Sequence, residues 1–225
     1  MTAGGHAMLT FTEEILLLLL DDEDGSFAPI PKSTLSCAIA GAVLMDLAFA
    51  NRIDTDPEAL VVSDPTPTGT PMLDTTLAKI AAHEPGSDTR TWIRVLSVED
   101  SPGIREQALE SLVARGIVTR REERVLWAFR ARRYPTIDGN VEQEVKLRIG
   151  EVLHSDEIPH PRDVALIGLV DACDLLRDIF PGTDIERLRP RVDQLRQMDL
   201  IGRELAGAIT DIEHTVTMAL SGAPY

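Results

Sequence analysis

Arginine is concentrated in one short segment, residues 115–133, which is the part of the chain most suggestive of chemistry. Its seven arginines are Arg115, Arg120, Arg121, Arg124, Arg130, Arg132 and Arg133. The acids in the segment are Glu122 and Glu123, so it carries a charge of +5. The chain of 225 residues has 22 basic and 37 acidic residues and a net charge of −15, which leaves −20 for the remainder. This balance excludes a protein coated with positive charge, such as a nonspecific nucleic-acid binder, but it allows one basic protrusion.

Aromatic residues accompany these arginines. Trp127 and Phe129 are two residues apart, which places them on one face of a strand, and Tyr134 follows the last arginine. This combination is typical of contact with an anionic membrane, where each basic residue contributes about 1 kcal/mol. A solvated hairpin covering its own core and a protein interface remain open. The residues predicted to contact a membrane or a second copy are Arg120, Arg121, Arg124, Trp127, Phe129, Arg130, Arg132 and Arg133.

A winged-helix DNA-binding protein would show a similar order of helix, glycine, strand, charged turn and strand. However, the helix before this segment carries Glu106 and Glu110 beside Arg105 and Arg115. A recognition helix that faces phosphates should be more basic. We therefore expect no nucleic-acid partner.

Catalytic and metal-binding patterns are weak elsewhere. His154, Asp156 and His160 are close in sequence, but intervening and following prolines break any helix that would align them, which favours a surface loop over a metal site. Cys37 and Cys173 form no CxxC motif, which predicts buried, reduced side chains in a reducing cytoplasm. The sequence contains neither a GxGxxG motif nor a P-loop. We expect no cofactor and no enzyme activity.

Helical periodicity dominates the rest of the chain, which is 44% hydrophobic and 4% aromatic. The sequence therefore predicts the mainly α class, with a core of Leu, Ile, Val and Ala and one β-hairpin. Thr10 and Glu13 form a capping box that starts the first helix. Short strands are expected near residues 51–54 and 60–62. Helices are expected over about 10–20, 33–48, 72–82, 91–96, 103–115, 141–153, 163–179, 184–198 and 200–220.

The hairpin is predicted over about residues 116–132. Its strands would be Ile117–Thr119 and Val125–Phe129, because these stretches are apolar and β-branched or aromatic, with charged residues 120–124 between them. Asp46 raises a separate point, because a carboxylate inside an apolar helix needs a partner. Arg52 or another arginine is expected to supply it.

Neither apolar run is suited to cross a membrane. Ile15–Leu20 is short and Ala38–Ala50 is interrupted by an aspartate, whereas a span takes about 20 apolar residues. We expect one compact domain over residues 9–220, with a flexible N-terminus at 1–8 and a tail at 221–225. The expected location is the cytoplasm, with peripheral contact to the cytoplasmic face of a membrane.

Five segments, in the same order, resemble motifs of the Golgi phosphoprotein 3 family. The first is similar to the family's "LTL-x-EE-x-LLL" opening and the fourth to its "LVEKGVL" entry to a hairpin. The resemblance covers roughly residues 9–220. The segments are Leu9–Leu18, Ala42–Ala48 with Arg52 and Ile53, Asp64–Gly69 with Met72–Asp74, Leu112–Val118, and Asp171–Phe180.

The resemblance implies a single α-helical domain with a protruding β-hairpin. Eukaryotic members bind phosphatidylinositol 4-phosphate on Golgi membranes, recruit coat components and retain glycosyltransferases, and they are adaptors, not enzymes. Their hairpin is implicated in membrane contact and self-association. The resemblance further implies a bacterial, actinobacterial member. A peripheral adaptor for anionic phospholipid is thus expected, and a homo-oligomeric interaction module using the same hairpin is the alternative.

The family's lipid pocket is matched only in part. Its tryptophan falls on Pro31, its first arginine on Ala40, and its basic pair on Pro102 and Arg105. Arg105 is therefore expected to bind lipid, with Lys32 as a nearby substitute.

Overall fold

The computed structural model of the chain describes residues 8–21, 24–55, 59–83, 86–125, 129–137, 140–197 and 203–221. Helices make up most of this part, which confirms the predicted mainly α class. The helices are α1 (Phe11–Leu19), α2 (Lys32–Phe49), α3 (Pro71–Ala82), α4 (Thr89–Val95), α5 (Ser101–Ala114), α6 (Asn140–His154), α7 (Pro161–Ala172), α8 (Leu176–Ile179), α9 (Ile185–Gln197) and α10 (Arg203–Ser221). A π-helical turn, Leu96–Asp100, joins α4 to α5. Two antiparallel strand pairs complete the fold: β1 (Ile53–Thr55) with β2 (Leu60–Val62), and β3 (Arg121–Val125) with β4 (Phe129–Arg133).

Helix α2 is the central element of the core. It is buried from Cys37 through Ala48, and α1, α3, α4, α5, α7 and α10 all pack against it. Its small residues allow close packing, since a Cβ atom on Gly41 would lie 2.7 Å from Leu169 Cδ1 of α7. By length and a mean hydropathy of 1.4 this helix could cross a membrane, yet 72% of it is buried inside the fold. Its apolar surface on all sides is therefore used by the core.

Helix α1 begins at the predicted capping box. The Thr10 hydroxyl oxygen accepts the N–H of Glu13 at 3.1 Å, and Glu13 Oε2 accepts the N–H of Thr10 at 2.8 Å. All residues of the helix are buried. The run of leucines therefore reflects an element covered on every side, as its sequence predicts.

A carboxylate from α2 completes the start of α1. Asp46 Oδ1 accepts the N–H of Phe11 at 2.8 Å, and Oδ2 accepts the N–H of Thr12 at 3.3 Å. Arg162 Nη2 of α7 lies 3.7 Å from Asp46 Oδ1. The predicted arginine partner therefore exists, but it is not Arg52, which pairs elsewhere at the end of α2.

The chain breaks between α7 and α8, so the prediction of one helix over 163–179 is wrong. Helix α7 ends at Ala172, and Asp174 adopts a left-handed φ of +54°. The N–H of Leu175 then reaches back to the carbonyl of Val170 at 3.0 Å. This bond closes the helix in the manner of a Schellman motif, with aspartate in the position that glycine usually takes.

Helix α10 is held by a buried carboxylate whose protonation we expect to affect stability. Glu213 Oε2 accepts from Arg196 Nη2 at 3.1 Å, and the other oxygen faces Gly168, where a Cβ atom would come within 1.9 Å of it. Burial raises the pKa of Glu213 to about 7, although Arg196 opposes the shift. The folded protein therefore holds this proton more tightly than the unfolded chain does. The stability that this carboxyl contributes is full below its unfolded pKa and is lost as the pH rises to about 7.

The Glu213→Gln variant tests this dependence. We expect the urea midpoint of the wild type to fall between about pH 5 and about pH 7.5, and the fall to be smaller in the variant, because glutamine does not titrate. Asp46, whose pKa burial also raises to about 7, keeps part of the dependence in both proteins. Equal falls in the two proteins would contradict the assignment to Glu213.

Candidate functional site

The basic hairpin pairs different residues from those expected. Strand β3 is Arg121–Val125 and β4 is Phe129–Arg133, with Arg121 opposite Arg133 and Val125 opposite Phe129. The charged residues predicted to form a turn are therefore the first strand. In the register Arg124 stands opposite Arg130. Trp127, predicted to contact a membrane or a second copy, lies outside the described residues.

Residues 117–119 belong to the base of the hairpin instead. Ile117 and Val118 are buried, and Val118 forms an isolated bridge with Thr136. Their apolar character thus reflects the core of the domain and not a strand of the ribbon. A two-stranded ribbon of charged residues is possible because alternation is required only where one face of a strand is buried.

Contacts on two sides anchor the hairpin base. Arg132 forms an ion pair with Glu106 of α5, whose carboxylate raises the pKa of Arg132. Arg133 Nη1 lies 3.4 Å from Asp24 Oδ2 in the turn after α1. Tyr134 is buried, which raises its pKa, and its N–H donates to the carbonyl of Gly25 at 2.9 Å.

These contacts divide the predicted arginines into two groups. Arg132 and Arg133 are used within the chain, in ion pairs with α5 and the turn after α1. Arg120 and Arg121 are exposed where the chain enters β3. Arg120 and Arg121 can therefore contact a negatively charged surface while the ion pairs of Arg132 and Arg133 remain intact.

The two residues expected to bind lipid lie in different surroundings. Arg105 is half-buried at the start of α5, with its guanidinium carbon 5.7 Å from the centre of the Phe27 ring. Its neighbour in sequence, Glu106, pairs with Arg132 of the hairpin, whereas Arg105 itself contacts Phe27 in the segment between α1 and α2. Lys32, the first residue of α2, lines a separate cavity.

That cavity contains two basic residues that the sequence analysis did not single out. Arg90 and Arg94 of α4 line it together with Lys32, and its volume is about 330 Å³. The four-residue spacing of Arg90 and Arg94 could have indicated this pair, because residues four apart lie on one face of a helix. The other lining residues are Ser33, Ser36, Cys37, Ser97, Val98, Thr215, Met218 and Ala219.

The remaining candidates for chemistry show no arrangement typical of catalysis. Cys37 and Cys173 are free and buried, as predicted, and burial raises the pKa of both thiols. Within the described ranges, which include His154, Asp156 and His160, no group of three or more His, Cys, Asp or Glu side chains could hold a metal ion.

The structure thus combines a mainly helical core with a basic β-hairpin anchored to it, which is the architecture that the sequence motifs imply. The family model described as Golgi phosphoprotein 3 (GPP34) matches residues 11–212. The chain therefore belongs to the Golgi phosphoprotein 3 family, as the five sequence motifs predict.

A curated relative agrees with this assignment. The vacuolar protein sorting-associated protein 74 of Eremothecium gossypii is 25% identical over an alignment 213 residues long, and the match covers 80% of this chain and 63% of the relative. The chain thus spans about 63% of the length of the curated relative that it matches.

Proposed function

We propose that this protein is a peripheral membrane adaptor that binds anionic phospholipid through its basic hairpin. The observation that carries the proposal is the anchored hairpin with exposed Arg120 and Arg121 in a chain of net charge −15. The anchoring pairs of Arg132 and Arg133 fix the direction of the ribbon relative to α5 and the turn after α1. A basic element of fixed direction on an acidic body favours one orientation at an anionic surface.

Family membership supports an adaptor role. The name of the relative associates it with vacuolar protein sorting, which favours a role in membrane traffic for this chain as well. A host that lacks Golgi membranes, as expected for a bacterial member, would offer phosphatidylinositol or cardiolipin in place of phosphatidylinositol 4-phosphate.

The lipid contact has two parts in this proposal. Arg120 and Arg121, with Arg124 and Arg130 of the strands, are proposed to supply a general attraction to anionic lipid, and Phe129 is proposed to contact the membrane interface. Arg105, which lies over the Phe27 ring, is the one cation that matches the family's lipid pocket and is proposed to contact the head group. Trp127 is proposed as an interfacial aromatic residue.

Reversing the charge of Arg120 and Arg121 together should weaken binding to anionic vesicles. At about 1 kcal/mol for each basic residue, removal of two charges lowers affinity by roughly 30-fold, and reversal lowers it further. The measurement is co-sedimentation with vesicles of phosphatidylcholine containing phosphatidylserine, at low and high salt. Wild-type binding should decrease as salt screens the charges.

The matched control is Arg177→Glu with Arg187→Glu. Both residues are exposed, with side chains 63% and 85% accessible, and both lie outside the hairpin. This control changes the net charge by the same amount as the hairpin variant. The proposal is wrong if the two double variants lose equal affinity, or if the wild type binds neutral vesicles as strongly as anionic ones.

The alternative function is association of copies through the hairpin. Within the described residues, β3 and β4 pair only with each other, so each strand has an unpaired edge that a second chain could extend. Charged residues along such edges oppose pairing, which is why lipid contact is our first proposal. Light scattering decides between them: a dimeric mass that becomes monomeric in the Arg120→Glu, Arg121→Glu variant would favour association.

A further inference from the structure

We propose that the cavity lined by Lys32, Arg90 and Arg94 is a binding site for a phosphate monoester. We call it the α2–α4 cavity. Its lining residues include three cations and no carboxylate, although acids outnumber basic residues in the chain by 37 to 22. The preference for a lipid head group as the source of the phosphate rests on the proposed function.

Three elements build the α2–α4 cavity. Lys32 begins α2, Arg90 and Arg94 project from one face of α4, and α10 closes the third side with Thr215, Met218 and Ala219. Lys32, Arg90 and Arg94 are all exposed on this rim. Arg90 also interacts electrostatically with Asp88, so the cations on which the proposed site depends are Lys32 and Arg94. The positive groups therefore converge from two helices on one space.

Hydroxyl groups add donors suited to phosphate oxygens. Ser33 and Ser36 line the same space, as does Ser97, whose hydroxyl donates to the carbonyl of Arg94 at 3.2 Å. The first turn of α2 contains no acid, and Pro31, which precedes it, provides no side-chain hydrogen bond to the helix N–H groups. The helix dipole of this 18-residue helix therefore adds to the attraction of the side chains for an anion.

The number of cations and the volume indicate the kind of ligand. Two exposed cations, Lys32 and Arg94, with Arg90 beside them, suit a doubly charged phosphate monoester better than a singly charged carboxylate or a phosphodiester. A volume of about 330 Å³ is sufficient for a phosphorylated sugar or cyclitol. Val98, whose side chain is 74% exposed, lies on the rim and gives the site an apolar border. An apolar border beside cationic groups suits the head group of a lipid whose chains remain in a membrane.

This site differs from the pocket that the family resemblance implies. Of the positions matched to that pocket, Ala40 is fully buried and Arg105 stacks on Phe27, and neither lines the α2–α4 cavity. The cations of the cavity are Lys32, which was expected as a substitute near that pocket, and the two arginines of α4, which match no position of it. The anion site of this chain is therefore supplied by other elements of the same fold.

The test uses the full chain and the Lys32→Glu, Arg94→Glu variant. We expect soluble inositol 4-phosphate to bind the wild type, measured by calorimetry and by shifts of the amide signals of Ser33, Ser36 and Ser97. The variant should bind it at least 10-fold more weakly. The Arg177→Glu, Arg187→Glu variant should bind as the wild type does, and thermal unfolding should show that all variants are folded.

Vesicles distinguish the two sources of the phosphate. A lipid head group is supported if the protein binds vesicles with phosphatidylinositol 4-phosphate more tightly than phosphatidylserine vesicles of equal charge. A free sugar phosphate is supported if the protein binds the two kinds of vesicle equally but still binds the soluble ester. The cavity variant should keep its affinity for phosphatidylserine vesicles, whereas the hairpin variant should keep its affinity for the soluble ester. The inference is overturned if the soluble ester shifts none of the three serines, or if it binds the cavity variant and the wild type equally.

Discussion

Replacing Asp46 with alanine is expected to destabilise the protein by about 3–5 kcal/mol. The substitution leaves the buried N–H groups of Phe11 and Thr12 without their acceptor. Each unsatisfied buried donor costs about 1–3 kcal/mol. Arg162 also loses a carboxylate 3.7 Å away, at a point where its guanidinium carbon lies 3.7 Å from the centre of the Phe11 ring. The measurement is the free energy of unfolding in urea, at about pH 7.

Two comparison variants separate the causes of this loss. Asp46→Asn keeps the volume and one acceptor oxygen, so it should lose roughly half as much. Glu186→Ala removes an exposed carboxylate, 69% accessible and paired with Arg177, and should cost less than about 1 kcal/mol. A loss for Asp46→Ala no larger than that for Glu186→Ala would show that α1 does not depend on α2 for its cap.

Replacing Gly25 with alanine is expected to release the base of the hairpin. The added Cβ atom would lie 2.1 Å from Pro135 N and 2.3 Å from the carbonyl carbon of Tyr134. Both are backbone atoms, so no side-chain rotation relieves the contact. Gly25 also has a φ of +65°, which costs an alanine about 1–2 kcal/mol. We expect a total loss of about 3 kcal/mol or more, together with faster hydrogen exchange at the Tyr134 amide.

Gly69→Ala is the matched control for this prediction. Gly69 has a φ of +85°, but no atom lies within 4 Å of its added Cβ. Gly69→Ala therefore measures the cost of the left-handed backbone conformation without a steric clash, and we expect it to lower the free energy of unfolding by about 1–2 kcal/mol. If the proposed function is correct, Gly25→Ala also weakens binding to anionic vesicles and Gly69→Ala does not. Equal losses of stability in the two variants would mean that the hairpin base accepts a side chain at residue 25.

Local signals predicted much of this fold. The capping box of Thr10 and Glu13 and the leucine run of α1 each act within a few residues, and the structure has both. The five motifs likewise led to the correct family, because each motif is contiguous in sequence. Hydrophobic periodicity identified most helices for the same reason.

Other features depend on contacts between distant segments. Arg162, the partner of Asp46, is 116 residues further along the chain, and no local pattern points to it. The charged strand β3 was missed because its sequence lacks the apolar alternation of a half-buried strand. The α2–α4 cavity has α10 as one wall, so the sequence alone does not show that Arg90 and Arg94 line a cavity.

The construction of this cavity has a consequence for protein synthesis. Its cations belong to α2 and α4, which leave the ribosome before α10, the helix that supplies the third wall. Ile212 and Val216 of α10 are fully buried, and α10 packs against α2. A nascent chain therefore presents the cations without the enclosed space. If the proposed site is correct, ligand binding there begins only after α10 has been translated and has docked against α2.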